Sequence, residues 1–271
     1  RAVSQAALAP VSRLTEAAEK VADTGDLRQR LPAGGSDEVF RLGRSFNRLL
    51  AAVQRSRAAQ RQLVADASHE LRTPLTSVLA NLELLAEELD GDQGEAARSA
   101  LRSSQRMRRL VADLLLLARA DVGRQRPHAA TDLADIAVEA AAELESLAEH
   151  HELTVEAAPA VVQGARDDLH RMTLNLLENA IRHTPPGTHV HAQVSNGSGR
   201  ARLIVEDDGP GVPPELRDRI FERFVRGEGD RGGSVGLGLS IVKAVATSHG
   251  GDVRLETPAG GGTRFVVELP A

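Results

Sequence analysis

A histidine and a carboxylate stand side by side in Ser68-His69-Glu70-Leu71-Arg72-Thr73-Pro74-Leu75-Thr76. An imidazole with a neighbouring base can act as a nucleophile, provided the ring faces outward. The apolar residues around it predict that it does. Val64, Ala67, Leu71, Leu75, Val78, Leu82, Leu85 and Leu89 recur every third or fourth position, the spacing of a buried helical stripe. At about 100° per residue, His69 falls roughly 160° from that stripe. Thr73, four residues on, shares the exposed face, and Glu70 lies to one side. Pro74 removes one backbone hydrogen bond from this helix and is expected to bend it. The apolar spacing across residues 64–78 is also a stutter in the heptad pattern, which places a second weak point beside His69. A lone histidine of this kind is ordinarily a surface residue. The C-terminal half of the chain makes the chemical reading the stronger one.

In a helix expected over 166–184, Leu169, Met172, Leu176, Ala180 and Ile181 form the apolar face. Asn175, Asn179 and Arg182 fall together on the other side. Asparagine carbonyls are neutral oxygen ligands that suit a hard cation such as Mg²⁺ shared with nucleotide phosphates. Arg182 could reach the same phosphates. The plain alternative is a solvated polar face. His183 comes next, either bordering a ligand or capping the helix end. His189 and His191 alternate on a strand, but two histidines make a poor zinc site. Further on, the strand Leu203-Ile204-Val205 runs into Glu206-Asp207-Asp208-Gly209-Pro210-Gly211-Val212. A carboxylate at a strand end can accept from an adenine amine, and Gly209 and Gly211 let a ring approach the backbone. A plain turn is the competing reading. The dinucleotide fingerprint is a poor one, because Val212-Pro213-Pro214 is no helix opening. Phe221-Glu222-Arg223-Phe224 then leads through a charged, glycine-rich loop to Gly236-Leu237-Gly238-Leu239 at a helix start. That arrangement can cradle phosphate with backbone N–H groups, under a loop able to close. Of the two phenylalanines, one is expected to pack in the core and one to anchor the loop.

Composition excludes several chemistries. The 271 residues contain no cysteine, so no disulfide, thiolate nucleophile or Cys-ligated zinc is possible. A net charge of −5 gives no argument for nucleic-acid binding. With no Trp or Tyr, cores must be built from Leu, Val, Ala and Ile. No apolar run is long enough to span a membrane. The chain opens with Arg1, so a fragment is expected, cut from a protein with a membrane segment upstream.

The elements that must position these residues fall into four regions. Residues 1–52 read as two helices, the first with Leu8, Val11, Leu14, Ala18 and Val21, broken at Thr24-Gly25-Asp26. Pro32-Ala33-Gly34-Gly35-Ser36 is a second breaker before Asp37-Glu38 opens the next helix. Residues 53–121 read as a hairpin of helices over 55–89 and 96–121, turning at Asp90-Gly91-Asp92-Gln93-Gly94. Neither can bury its stripe alone, so a four-helix bundle in a dimer is expected. Residues 122–131 read as a linker. Residues 132–271 alternate helices, at 132–149, 166–184 and 236–249, with strands at 152–156, 160–163, 188–194, 201–207, 252–256 and 263–269. That order predicts an α/β sandwich with helices on one face of a sheet.

Taken in order, these signals resemble the sensor histidine kinases of two-component systems over nearly the whole chain. Residues 68–76 look like the H-box, 175–179 the N-box, 207–211 the G1-box, 221–224 the F-box and 236–239 the G2-box. Residues 1–52 resemble a HAMP relay, with Pro10, Gly25-Asp26-Leu27, Asp37-Glu38 and Phe46-Asn47. Val235 departs from the small residue the family often has there. The resemblance implies a HAMP domain, a HisKA-type dimerisation hairpin and a Bergerat (GHKL-like) ATP-binding domain at 132–271. His69 would accept the γ-phosphoryl of ATP, Glu70 would take the ring proton, and Thr73 would orient a water for phosphatase action. Asn179 and Asn175 would hold Mg²⁺, and Asp207 would read adenine. Arg182, His183, Gly209, Gly211, Phe224, Arg226, Gly236, Leu237, Gly238 and Leu239 would complete the nucleotide site. The partners implied are a second copy of the chain and the receiver domain of a response regulator. The implied location is the cytoplasmic side of a bacterial cell membrane. Gyrase-, chaperone- and mismatch-repair-like ATPases would match only beyond residue 150, and a nucleotide-binding coiled-coil adaptor would not need His69-Glu70.

Overall fold

The computed structural model describes residues 15, 16, 19, 38–121, 128–227 and 235–271. Apart from residues 15, 16 and 19, which are helical, the first helix expected in residues 1–50 lies outside them, as do its two breakers, residues 122–127 and the loop 228–234. The chain divides into two compact units, residues 1–69 and 70–271.

Helix α1 (Glu38–Glu88) is one continuous element of 51 residues. The sequence suggests separate helices on either side of about residue 52. No glycine or proline interrupts residues 44–73, so nothing breaks the helix there. It also runs through Pro74. Helix α2 (Gly91–Asp121) begins five residues earlier than expected, with Asp92 in its first turn. In the second unit Leu71, Val78, Leu84 and Leu85 of α1 and Met107 and Leu114 of α2 stay exposed, while Leu79 is buried. The exposed leucines leave unfinished the stripe that the spacing requires.

The linker ends sooner than its polarity suggests. Strand β1 (Ala129–Asp132) pairs antiparallel with β3 (Val161–Gly164) in a separate two-stranded ribbon. Asp132, expected inside a helix, instead caps one: its Oδ1 accepts from the N–H of Ala134 and of Ala160, both at 2.9 Å. Helix α3 (Leu133–Glu143) therefore starts there, and it ends six residues short of the expected 149.

The main sheet has five strands in the order β2-β4-β5-β7-β6. These are β2 (Glu152–Ala157), β4 (His189–Gly197), β5 (Arg200–Asp207), β6 (Asp252–Glu256) and β7 (Thr263–Pro270). β2 and β4 run parallel, and the other pairs are antiparallel. Alternation sets the two faces. Val190, Ala192 and Val194 of β4 and Ala201, Leu203 and Val205 of β5 are buried. They meet Ile136 and Ala140 of α3, Leu169, Met172 and Leu176 of α4 (Arg166–Arg182), and Ile241, Val242 and Val245 of α5 (Gly238–Ser248). The opposite face is charged, with Arg202–Glu268, Arg254–Glu256 and Arg264–Glu206 pairs at 2.7–2.8 Å. Helices on one face and charge on the other make the α/β sandwich that the element order predicts. The end of α2 joins this core through Leu116 and Leu117.

Candidate nucleotide site

The register of β5 decides the first site residue. Asp207 continues the period-two series of Ala201, Leu203 and Val205, so it must point to the helix-covered side. It is 4% exposed. Its Oδ1 accepts from the Gly209 N–H at 3.0 Å, and Thr263 donates to it as well. Burial nevertheless pushes its carboxyl above the ordinary 3.8, because the Gly209 N–H and the side chain and backbone of Thr263 compensate only part of the lost hydration. A buried carboxylate with a spare acceptor position can take a donor from a ligand. Its carbonyl oxygen is crossed closely by the turn between β6 and β7. A Cβ on Gly262 (φ +85°) would lie 1.9 Å from that oxygen, so only glycine fits.

Helix α4 supplies the second group. Asn175 is buried, not on a solvated face, because α5 starts directly above it. Its Nδ2 donates to the Arg171 carbonyl at 2.8 Å. That bond orients Oδ1 toward Gly238, where a Cβ would come within 3.2 Å. Asn179, one turn on, is half-buried, and its amide makes no hydrogen bond within the described residues. His183 is the C-cap, donating its N–H to the Asn179 carbonyl at 3.1 Å.

A cavity of about 900 Å³ collects these residues, a size typical of small-molecule sites. Asn175, Asn179, Arg182, His183, Asp207, Gly211, Arg226, Gly236, Leu237, Gly238 and Leu239 all line it. His183 thus both ends its helix and borders the cavity. Gly209 and Phe224 do not line it. Gly209 stands behind the wall, where a Cβ would meet Thr184 Cγ2 at 2.5 Å. Phe224 is 60% exposed at φ +64° and holds the loop by its backbone, donating its N–H to the Gly236 carbonyl at 2.8 Å. Phe221 packs edge-on against buried Phe265, ring centroids 6.2 Å apart. One phenylalanine thus packs inside, as expected; the other anchors with main chain instead of its ring.

Sequence reasoning missed one wall altogether. Arg106, Arg109, Leu110 and Asp113 of α2 line the cavity, as do Arg171 and Thr263. Asp113 accepts two bonds from Arg171, at 2.9 and 2.8 Å, tying α2 to α4. Local pattern carries no signal for a helix–helix contact of this range. For Gly262 a signal existed, in the run Gly260-Gly261-Gly262 before β7. Glu70 and Thr73 are exposed on α1 and do not line the cavity. The backbone of His69 is helical, and its side chain lies outside the described residues.

Three family models match the chain in succession. The HAMP domain covers residues 2–55, the His Kinase A (phospho-acceptor) domain 59–123, and the histidine kinase-, DNA gyrase B- and HSP90-like ATPase 164–271. The chain belongs to the sensor histidine kinases. Among curated sensor kinases, the signal transduction histidine-protein kinase/phosphatase MprB of Mycobacterium avium is 42% identical over 283 residues, covering 99% of this chain. MprB of Mycobacterium tuberculosis H37Rv matches at the same identity and coverage. The chain spans about half the length of these curated relatives, 54% and 56%. Among solved sensor kinases, full-length ShkA in complex with AMPPNP is 30% identical, with a TM-score of 0.64 over 77% of this chain and 45% of ShkA. Acinetobacter baumannii AdeS shares the fold at 23% identity and a TM-score of 0.55, covering 74% of this chain and 97% of AdeS.

Proposed function

We propose that this chain is the cytoplasmic, signal-transmitting portion of a membrane-anchored sensor kinase. It binds ATP in the cavity between α4, α5 and the end of β5, and phosphorylates His69. The observation that carries this reading is the convergence of Asn175, Asn179, Asp207 and the Gly236-Leu237-Gly238-Leu239 helix start on one cavity. Asp207 offers its free acceptor position to the adenine amine. The N-terminus of α5 presents backbone N–H groups and positive dipole to phosphate. Asn179, with Asn175 beside it, supplies neutral carbonyl oxygens that fit Mg²⁺, a hard cation. When bound, Mg²⁺ would neutralise charge on the phosphoryl group being transferred.

In the transfer, a ring nitrogen of His69 forms a bond to the γ-phosphorus as the bond to the ADP oxygen breaks. Glu70 accepts the proton from the other ring nitrogen, and ADP leaves. The phosphoryl group then passes to an aspartate of a response-regulator receiver domain. Thr73, on the exposed face four residues from His69, orients the water that later hydrolyses that aspartyl phosphate. The exposed leucines of α1 and α2 are covered by a second copy, which makes the working unit a homodimer. Residues 1–52 relay the signal from an upstream membrane segment to residues 53–121.

Incubation with γ-labelled ATP and Mg²⁺ tests the reading. Acid-labile label that disappears in His69→Gln is expected. Acid-stable label, or label that persists in that variant, would refute it.

A further inference from the structure

One wall of the cavity comes from the hairpin, outside the α/β lobe that supplies the rest. Arg106, Arg109, Leu110 and Asp113 sit at spacings of three and four on α2, so they share one face, and all four line the cavity. Asp113 is 7% exposed and grips Arg171 with two bonds. Leu117, one further turn on, is 2% exposed in the lobe's core. That face of α2 is therefore held against the lobe at its C-terminal side, with Arg106 and Arg109 carried to the cavity on the other.

The charges there are unbalanced. Arg171 is neutralised by Asp113, and Arg217 donates to the Val212 carbonyl at 3.0 Å. Arg106 and Arg109 have no carboxylate partner among the described residues. Two like charges three residues apart on a helix repel one another, and a polyanion between them would reverse the sign of that interaction. Guanidinium groups suit the task, since each offers forked donors to phosphate oxygens.

We infer that Arg106 and Arg109 bind the phosphates of the nucleotide, so that ATP is held jointly by the lobe and the hairpin helix α2. The inference rests on the proposal that this cavity takes ATP. It gives the triphosphate a second function, as the anion that completes the α2–lobe contact begun by Asp113 and Arg171. ATP binding and docking of the lobe on α2 become one event. Adenosine, without phosphates, gains nothing from either arginine.

The test is titration of the whole chain with ATP and with adenosine, in the wild type, in Arg106→Ala/Arg109→Ala and in Arg106→Lys/Arg109→Lys. In the alanine variant ATP should bind about tenfold more weakly or worse, with adenosine unchanged. The lysine variant, which keeps the charge but not the fork, should bind ATP more tightly than the alanine variant and less tightly than the wild type. An alanine variant that binds ATP as the wild type does would overturn the inference and leave the nucleotide reading intact. Equal loss of ATP and adenosine would also overturn it, because the arginines would then be structural. A wild type that binds neither compound sinks the nucleotide reading, and this inference with it.

Discussion

A Cβ placed on Gly238 would lie 3.2 Å from Oδ1 of Asn175. The first residue of α5 and a buried amide of α4 are thus packed at the limit of contact, and Asn175 cannot yield, because its Nδ2 is tied to the Arg171 carbonyl. Gly238→Ala should therefore push the α5 start away from α4. Overpacking of this kind costs about 1–3 kcal/mol. We expect a melting temperature a few degrees lower and a larger loss in ATP affinity, measured by calorimetry. Unchanged affinity would mean that the α5 start does not touch the phosphates.

Asn179 lines the cavity with a side-chain amide that makes no hydrogen bond among the described residues. Asn179→Ala should leave folding within about 0.5 kcal/mol of the wild type, since no bond is lost. Autophosphorylation with Mg²⁺ should fall about a hundredfold or more, and sedimentation should show the same oligomeric state for the variant as for the wild type. A variant with wild-type rates would remove this residue from the metal assignment.

Asp207 predicts a pH dependence of binding. Burial raises its carboxyl above 3.8, so it takes up a proton at higher pH than an ordinary aspartate. An adenine amine bonds more strongly to the ionised carboxylate than to the neutral acid, whose carbonyl oxygen is a weaker acceptor. Nucleotide affinity should then weaken on acidification before ordinary carboxylates titrate. Asp207→Asn should bind about tenfold or more weakly at neutral pH and lose that dependence. Persistence of the pH dependence in the variant would assign it to another group.

His249 predicts a pH dependence of stability. It is buried, accepts the Ala165 N–H at Nε2 (3.1 Å), and donates from Nδ1 to the Val245 carbonyl (2.8 Å), stacked 4.7 Å from His128. Burial lowers its affinity for a proton below the ordinary 6.5; the Val245 carbonyl opposes this, the neighbouring His128 adds to it, and Asp168 opposes it. The unfolded chain thus binds the proton more tightly than the folded one, so stability rises with pH across this interval. The contribution is complete above about 6.5 and is lost as pH falls toward the lowered value. Melting temperatures between about pH 7.5 and 5 should fall in the wild type and fall less in His249→Gln. Parallel curves would exclude this histidine.

Much of this protein was legible from local pattern. Leu203-Ile204-Val205 read as a strand, and spacings of three and four drew the α4 face of Leu169, Met172 and Leu176, which is buried. Asn175, Asn179, Asp207, Gly236 and Gly238 stood out by residue type and order, and they line one cavity. These properties are local: dihedral preference, side-chain periodicity and donor chemistry are set within a turn or a strand.

Other features required the folded chain. Asp132 became a helix cap because β1 pairs with β3, and that pairing joins residues about 30 apart. Asn175 became buried because α5 lies over it, although its position on α4 suggested solvent. The Arg106–Asp113 wall depends on which face of α2 meets the lobe, and the Asp113–Arg171 pair spans 58 residues of sequence. Amino-acid order by itself determined most of the helices and strands and the residue types gathered at the candidate site. Only tertiary packing decided which side chains share the cavity, because burial and charge pairing arise from contacts that no local window contains.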